Sequence, residues 1–536
     1  MAEKSNILLI FTDQQRWDAM GAYGNEIIHT PNMDRLASQG AIFNNAATPC
    51  PICVPARACT MTGYSAGKNT ILNNGGRVPE GINRDTVPAI LSRSGYHSQA
   101  IGKMHFTPDG ETYGMDNLIL SEEMRSTRFA SDAESQWYDD YDKYLIDKGL
   151  WGWEKPPEIG YNEIKPVVNH IPKEHHVTQW CGDRTVEWLR DGRPKDKPFF
   201  LFSSFIKPHV PYDCPVHLLD LYDPDDMPLP IRSGKEAERK NPIYAYSRKM
   251  SEWDLYSDEA AKRAKAYYYA NITFIDEQVG RILNELESQG LADNTLVIFT
   301  ADHGDMMGDH DMWYKFFGYE GSVHIPMLVR WPGRIKPGTV VEELSSLLDL
   351  FPTFMKAAGI DGYNERPGMD LMELIQDKTE RQMVFSEYEN AGSYCHYIRH
   401  KDWKYVFFQN GGYEELYDLK NDPDELRDLS DSKEHRQILE DFRKAAQEWI
   451  RQYSNKDKYL DNNGELMKHP YSGPADISKV YNSQPRPYSR MPWESRMPLS
   501  VLDSDKLSGM AAPWWWKEVG GDWSQLVEYA KKKRKK

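Results

Sequence analysis

Four short apolar runs, each ending in residues capable of chemistry, constrain this chain more than any other feature. "NILLIF" runs into Thr12-Asp13-Gln14, and "SQAIG" (98–102) is followed by Lys103 and His105. "PFFLFSSF" (198–205) leads to Lys207-Pro208-His209, and "TLVIFT" (295–300) to Ala301-Asp302-His303-Gly304. Each run has the length and content of a buried strand. Helical patterns lie between them. In "NITFIDEQVGRILNELESQG", Ile272, Ile275, Val279, Ile282, Leu283 and Leu286 repeat at helical spacing and Gly290 supplies a stop. Strands alternating with helices predict an α/β sheet covered on both faces. In such sheets the ligand crevice lies beyond the carboxyl ends of the strands. Asp, Gln, Lys and His side chains are therefore expected along one edge.

The chain has 536 residues, enough for two or more domains and a large core. A net charge of −16 argues against a general nucleic-acid binder but leaves room for a local cationic pocket. Six cysteines are too sparse for a disulfide-stapled secreted fold. The N-terminal apolar run, Ile7 to Phe11, is short, follows Glu3 and lacks a small-residue cleavage site, so it reads as a strand and not a signal peptide. No run approaches the ~18 apolar residues of a membrane span. The expectation is a cytoplasmic protein with no membrane or nucleic-acid partner; a homo-oligomer is left open.

The texture of the chain suggests three parts. Residues 1–378 read as a catalytic domain. Within it, 107–180 are rich in Tyr, Trp, Asp and Glu without a clean period, and are expected as an insertion over the crevice. Residues 379–455 carry "QMVFSEYE", "YCHYIRH", "DWKYVFF" and "YEELYDL", then "HRQILEDFRKAAQEWIRQY". That pattern predicts a small antiparallel sheet and a helix. Residues 456–536 read as an irregular extension. Its "PWWWK" (513–517) is expected to pack on the body and its terminal "KKKRKK" to be a solvated charge run.

Asp13, Gln14, Asp302 and His303 are, singly, caps and turns. Together, after matched strands, two carboxylates, an amide oxygen and an imidazole could hold one divalent cation. Oxygen-rich ligation favours Ca²⁺, Mg²⁺ or Mn²⁺, and the imidazole shifts the balance slightly toward Mn²⁺. Lys103, His105, His209 and Lys315 place four possible cations near the same edge, suited to an anionic substrate.

The stretch "CPICVPARACTMTG" (50–63) holds half of the cysteines. Cys50-x2-Cys53 is a weak zinc or redox signal, because no second CxxC completes either site. Neither reading explains why Pro55, Arg57 and Thr62-Gly63 accompany Cys53. The pattern Cys-x-Pro-x-Arg followed by Thr-Gly resembles the signature of the type I, formylglycine-dependent sulfatases of the alkaline phosphatase superfamily. Further blocks in family order are "NILLIFTDQQRWD", "TPNMDRLASQGAIFNNA", "IGKMHF", "KPHVPY", "YYANITFIDEQVGRIL", "FTADHGDMMGDHDMWYK" and "LYDLKNDPDELRDL". They cover about residues 5–455.

The resemblance implies an alkaline-phosphatase-like α/β sandwich with a large mixed sheet, plus a smaller C-terminal domain with an antiparallel sheet. It implies that Cys53 is oxidised to formylglycine by a formylglycine-generating or anaerobic sulfatase-maturating enzyme. The hydrate offers one hydroxyl to attack sulfur and a second whose proton loss expels sulfate. Arg57 is then expected to hold the formylglycine hydroxyl. Asp13, Gln14, Asp302, His303 and the converted Cys53 would bind the metal, Ca²⁺ first. Lys103 and Lys315 would bind sulfate. His105 and His209 would orient the nucleophile or protonate the leaving oxygen. The Gln14/His303 version of the metal set resembles the branch with choline sulfatases, phosphonate monoester hydrolases and some glycan sulfatases. Thr60 occupies a signature position that is usually apolar. The implied activity is hydrolysis of a sulfate ester, expected on a saccharide; a phosphonate or phosphate ester hydrolase and a choline-sulfatase-like enzyme are the alternatives. A non-catalytic binder on the same fold would have lost part of this set.

Overall fold

The computed structural model describes residues 4–79, 85–107, 110–122, 139–150, 164–250, 256–390 and 393–472. The "PWWWK" and "KKKRKK" segments lie outside them. In chain order the strands are β1 (Asn6–Asp13), β2 (Ala41–Ala47), β3 (His97–Gly102), β4 (Asn117–Leu120), β5 (Pro166–Asn169), β6 (Phe199–Pro208) and β7 (Tyr212–Pro215). They continue with β8 (Thr295–Ala301), β9 (Met327–Arg330), β10 (Thr339–Ser346), β11 (Met383–Asn390), β12 (Ser393–His400), β13 (Trp403–Phe408) and β14 (Tyr413–Asp418).

The main sheet has the order β10-β2-β9-β8-β1-β6-β3-β4. The four apolar runs of the sequence are its centre: β1 lies between β6 and β8, and β3 lies beyond β6, all parallel. Only β9 runs antiparallel to its neighbours. The sheet is therefore mixed, and the excursion from β8 to β9 begins and ends at one edge. That excursion carries Asp302 to Lys315.

Every residue of β1 is buried. Successive strand side chains point to opposite faces, so one strand feeds two cores. Leu8 and Ile10 join Ile272, Ile275, Val279 and Ile282 of the helix Asp258–Ser288. Ile7, Leu9 and Phe11 join Val54, Ala58 and Met61 of the helix Cys53–Thr62. Within residues 107–180, the described part includes β4, which extends the main sheet, and the helix Asp140–Lys148.

The C-terminal sheet is the antiparallel meander β11-β12-β13-β14. The helix Arg436–Tyr453 packs Leu439, Phe442, Ala446 and Ile450 into its core. Cys50 and Cys59 lie in that same core. The helix Cys53–Thr62 is thus wedged between two cores, and all ten of its residues are buried. No described helix is long and apolar enough to cross a membrane.

Candidate active site

Asp13 ends β1, and Gln14 follows with φ 69°, left-handed backbone rare outside glycine. Two bonds hold it there. Its N–H donates to Asp302 Oδ1 at 3.0 Å, and the Tyr268 hydroxyl donates to its carbonyl at 2.7 Å. Asp302 and His303 follow β8 directly, and Cys53 opens the buried helix Cys53–Thr62. Asp13, Cys53, Asp302 and His303 each offer a ligand atom, and these atoms lie within 4.8 Å of one another. Cys53 Sγ is 3.2 Å from His303 Nε2 and 3.8 Å from Asp13 Oδ1. The thiol sulfur marks where an oxygen of formylglycine would sit.

His303 Nδ1 lies 2.9 Å from the Gly304 carbonyl. Donating there leaves Nε2 as a lone pair facing Cys53, the tautomer a metal ligand needs. Burial also lowers the His303 pKa, which favours the neutral ring. For Asp13, burial alone would raise the pKa. Lys103, Arg57 and Lys315 outweigh it and hold Asp13 well below the usual range, hence ionised. Two carboxylates and an imidazole aimed at one point, with the Gln14 amide beside them, fit one divalent cation.

Arg57 lies one helical turn beyond Cys53. Its Nε donates to Asp302 Oδ2 at 2.9 Å and its Nη2 to Asp13 Oδ2 at 3.3 Å. Its Nη1 donates to the Lys103 carbonyl at 2.7 Å and to Ser204 Oγ at 2.8 Å. These bonds make Arg57 the frame of both carboxylates. Lys103 Nζ pairs with Asp13 Oδ2 at 2.5 Å. Lys315 Nζ donates to Gln14 Oε1 at 2.7 Å and lies 2.9 Å from His209 Nε2. His209 Nδ1 is 2.7 Å from the Val210 carbonyl, so Nδ1 carries the proton and Nε2 accepts from Lys315. Burial, reinforced by Lys315, pushes its pKa well down. His105 has φ 57° and a buried Nδ1 without a hydrogen-bond partner. All ten residues singled out in the sequence are thus buried around the carboxyl ends of β1, β3, β6 and β8.

Further residues shape the site. Asp305 Oδ2 accepts from Gln14 Nε2 at 2.5 Å and from the Tyr212 hydroxyl at 2.6 Å. That fixes which end of the Gln14 amide faces the site. Asn74 Oδ1 accepts the Val54 N–H at 3.1 Å, capping the helix that Cys53 opens. Glu122 accepts the amides of Met104 and His105; burial raises its pKa well above normal, with the Met104 amide and the Lys103 charge opposing. None of these carries a spacing signal, because each partner is distant in sequence. Asp305, in "DHGD", was the nearest to legible.

The other cysteines of the signature have no part in this chemistry. All six cysteines are buried. Burial raises the Cys50 and Cys59 thiols far above their usual range. Burial and the Asp13 charge push Cys53 up to about 11, so the unconverted thiol is not ionised at neutral pH.

The sulfatase family model matches residues 5–360. A model described as N-sulphoglucosamine sulphohydrolase, C-terminal, matches 308–452. The chain is 35% identical over 499 residues to an arylsulfatase of Clostridium perfringens, covering 88% of this chain and 98% of that one. It is 29% identical over 440 residues to a choline-sulfatase of Rhizobium meliloti, covering 80% and 83%. Among solved structures, the phosphonate monoester hydrolase of Agrobacterium radiobacter aligns with a TM-score of 0.73 at 25% identity, covering 87% of this chain and all of that one. With a family model over residues 5–360 and a relative 35% identical over most of both chains, the chain belongs to the sulfatase family of sulfuric ester hydrolases.

Proposed function

We propose that this chain is a formylglycine-dependent sulfatase whose substrate is a sulfated saccharide. The observation that carries the reading is the placement of Cys53 Sγ among Asp13, Asp302 and His303, with Lys103, Lys315, Arg57 and His209 around them. Asp13, Gln14, Asp302, His303 and the converted Cys53 would hold one divalent cation, Ca²⁺ first because oxygens dominate the set, with Mn²⁺ and Mg²⁺ as alternatives. When bound, that cation supplies charge stabilisation at a sulfate oxygen and a lowered pKa for the nucleophile. Conversion of Cys53 by a maturation enzyme supplies a hydrate with one hydroxyl for attack and one for release.

The chain's own residues do the rest. Arg57 and Lys103 keep Asp13 ionised and in place. Lys103 and Lys315 neutralise the sulfate. A sugar leaves as a poor alkoxide and needs a positioned acid. His105 and His209 are the two candidates; the unpartnered atom is His105 Nδ1. The saccharide is supported by the N-sulphoglucosamine sulphohydrolase model over 308–452. We assign residues 1–378 to the catalytic domain, whose stretch 107–180 includes the sheet strand β4, 379–455 to a small C-terminal domain and 456–536 to an extension.

The phosphonate monoester hydrolase likeness sustains a second reading on the same scaffold. The two separate on kinetics. Matured protein is expected to hydrolyse 4-nitrophenyl sulfate with a higher kcat/KM than 4-nitrophenyl phosphate or a phenylphosphonate ester, and to release sulfate from sulfated sugars. A phosphonate preference of about tenfold, roughly 1.4 kcal/mol of transition-state binding, would transfer the assignment to the second reading. Release from choline sulfate alone would keep the reaction and discard the sugar.

A further inference from the structure

We infer that Glu122 is the positioning residue for the turn Lys103-Met104-His105, setting the aim of the sulfate-binding Lys103 and of the acid candidate His105. The inference rests on those proposed roles of Lys103 and His105. Glu122 follows β4 and is 2% exposed. Its Oε1 accepts the Met104 N–H at 2.9 Å and the His105 N–H at 2.8 Å, and its Oε2 lies 2.9 Å from the same His105 N–H. Two successive amides converging on one carboxylate form a small anion-binding concavity. His105 has positive φ. A non-glycine residue keeps that backbone only where its surroundings over-determine it.

The rest of the turn is held as well. The Lys103 N–H donates to the Ser204 carbonyl at 2.9 Å, and the Lys103 carbonyl accepts from Arg57 Nη1 at 2.7 Å. Arg57 and β6 thus fix the first residue, while Glu122 fixes the next two. Glu122 is itself anchored: its N–H donates to Asp139 Oδ2 at 2.5 Å, and Asp139 caps the helix Asp140–Lys148 by accepting from the Asp142 N–H at 2.7 Å. The Ser121 N–H donates to the Gly102 carbonyl at 3.1 Å. The geometry makes β4 and its following residues a clamp on the end of β3, with the Glu122 carboxylate as its jaw.

Glu122 acts through Lys103 and His105 and touches no substrate. Removing it lets the turn relax, and a displacement near 1 Å in a binding group costs about 100-fold in rate. Glu122→Ala is therefore expected to lower kcat/KM for 4-nitrophenyl sulfate about 100-fold. Bound metal and the aldehyde fraction at Cys53 should stay unchanged. Glu122→Gln keeps one oxygen for both amides and should stay within about tenfold of the parent. In a His105→Ala background the Glu122→Ala loss should shrink, because residues acting as one unit are not additive. A merely structural role would instead give additive losses that track lower thermal stability and lower conversion of Cys53.

Should Glu122→Ala fail to fold, Glu122→Asp keeps the carboxyl group and withdraws it by one methylene; it is expected to raise KM and to weaken binding of inorganic sulfate measured by calorimetry. Unchanged kinetics and sulfate binding in Glu122→Asp, or additive losses in the double variant, would overturn the proposal. A parent enzyme that binds no sulfate would contradict the anion-site reading together with it, whereas parent binding that Glu122→Asp leaves intact contradicts this proposal alone.

Discussion

Asp13 is wholly buried, yet burial does not decide its charge. Burial alone would raise its pKa; Lys103, Arg57 and Lys315 keep it ionised. The same cations would then be partly released to meet a sulfate, so one cluster serves both the cation and the anion. Gln14 shows how finely the ligands are set. Its amide can present oxygen or nitrogen to the site, and Asp305 decides by taking the nitrogen. Asp305→Ala should therefore weaken divalent-metal affinity by about 10–100-fold, the usual cost of losing a residue that orients a ligand. Metal titration followed by elemental analysis would show it; unchanged affinity would remove Asp305 from this role. The candidate metal residues Asp13, Gln14, Asp302 and His303 were legible because they follow strand-like runs, and Cys53 because of its signature. Glu122 and Asn74 were not, since a lone carboxylate or amide means nothing until folding brings its partner near.

The helix Cys53–Thr62 links the signature to the fold. Cys53 sits at its N-terminus, where the helix dipole favours negative charge. Thr60, polar where the family signature is usually apolar, causes no loss here. Its hydroxyl donates to the Ala56 carbonyl at 2.9 Å, and Thr62 repeats the bond to Ala58 at 2.7 Å. Gly63 ends the helix at φ 70°, and its N–H donates to the Cys59 carbonyl at 2.8 Å. A Cβ there would come within 2.6 Å of Phe351 Cγ and 2.7 Å of Arg366 Cδ. Both conformation and space oppose a side chain, so Gly63→Ala should destabilise the protein by about 1–3 kcal/mol. Urea unfolding would measure this, and an unchanged midpoint would refute it. The main strands and the C-terminal meander were legible from apolar runs. The edge strand β4 was not: "NLIL" is four residues inside an aperiodic stretch, and its pairing with β3 is what makes it a strand.

Across the whole molecule, the catalytic sheet and the C-terminal sheet meet at Glu320. Its Oε1 lies 3.2 Å from Arg399 Nε on β12 and 2.7 Å from Lys404 Nζ on β13. Burial would raise its pKa; Arg399 and Lys404 overcome that and hold it well below the usual range. A depressed carboxylate contributes stability that is fully present above its unfolded pKa, about 4.3, and lost as pH falls through the folded value. Glu320→Gln should therefore cost about 1.5–3 kcal/mol at pH 7, because Arg399 loses its carboxylate partner and Lys404 keeps only Glu425. The gap from the parent should narrow below about pH 4. Urea unfolding at both pH values tests the sign, and a gap that widens on acidification would contradict it. The central claim, that the chain cleaves sulfate esters through a converted Cys53, has a direct measurement: sulfate-ester turnover against the aldehyde fraction at Cys53, from peptide mass spectrometry of protein made with and without a maturation enzyme. The account predicts turnover proportional to the aldehyde, with Cys50 and Cys59 remaining thiols. Full turnover from protein whose Cys53 is entirely thiol would contradict it.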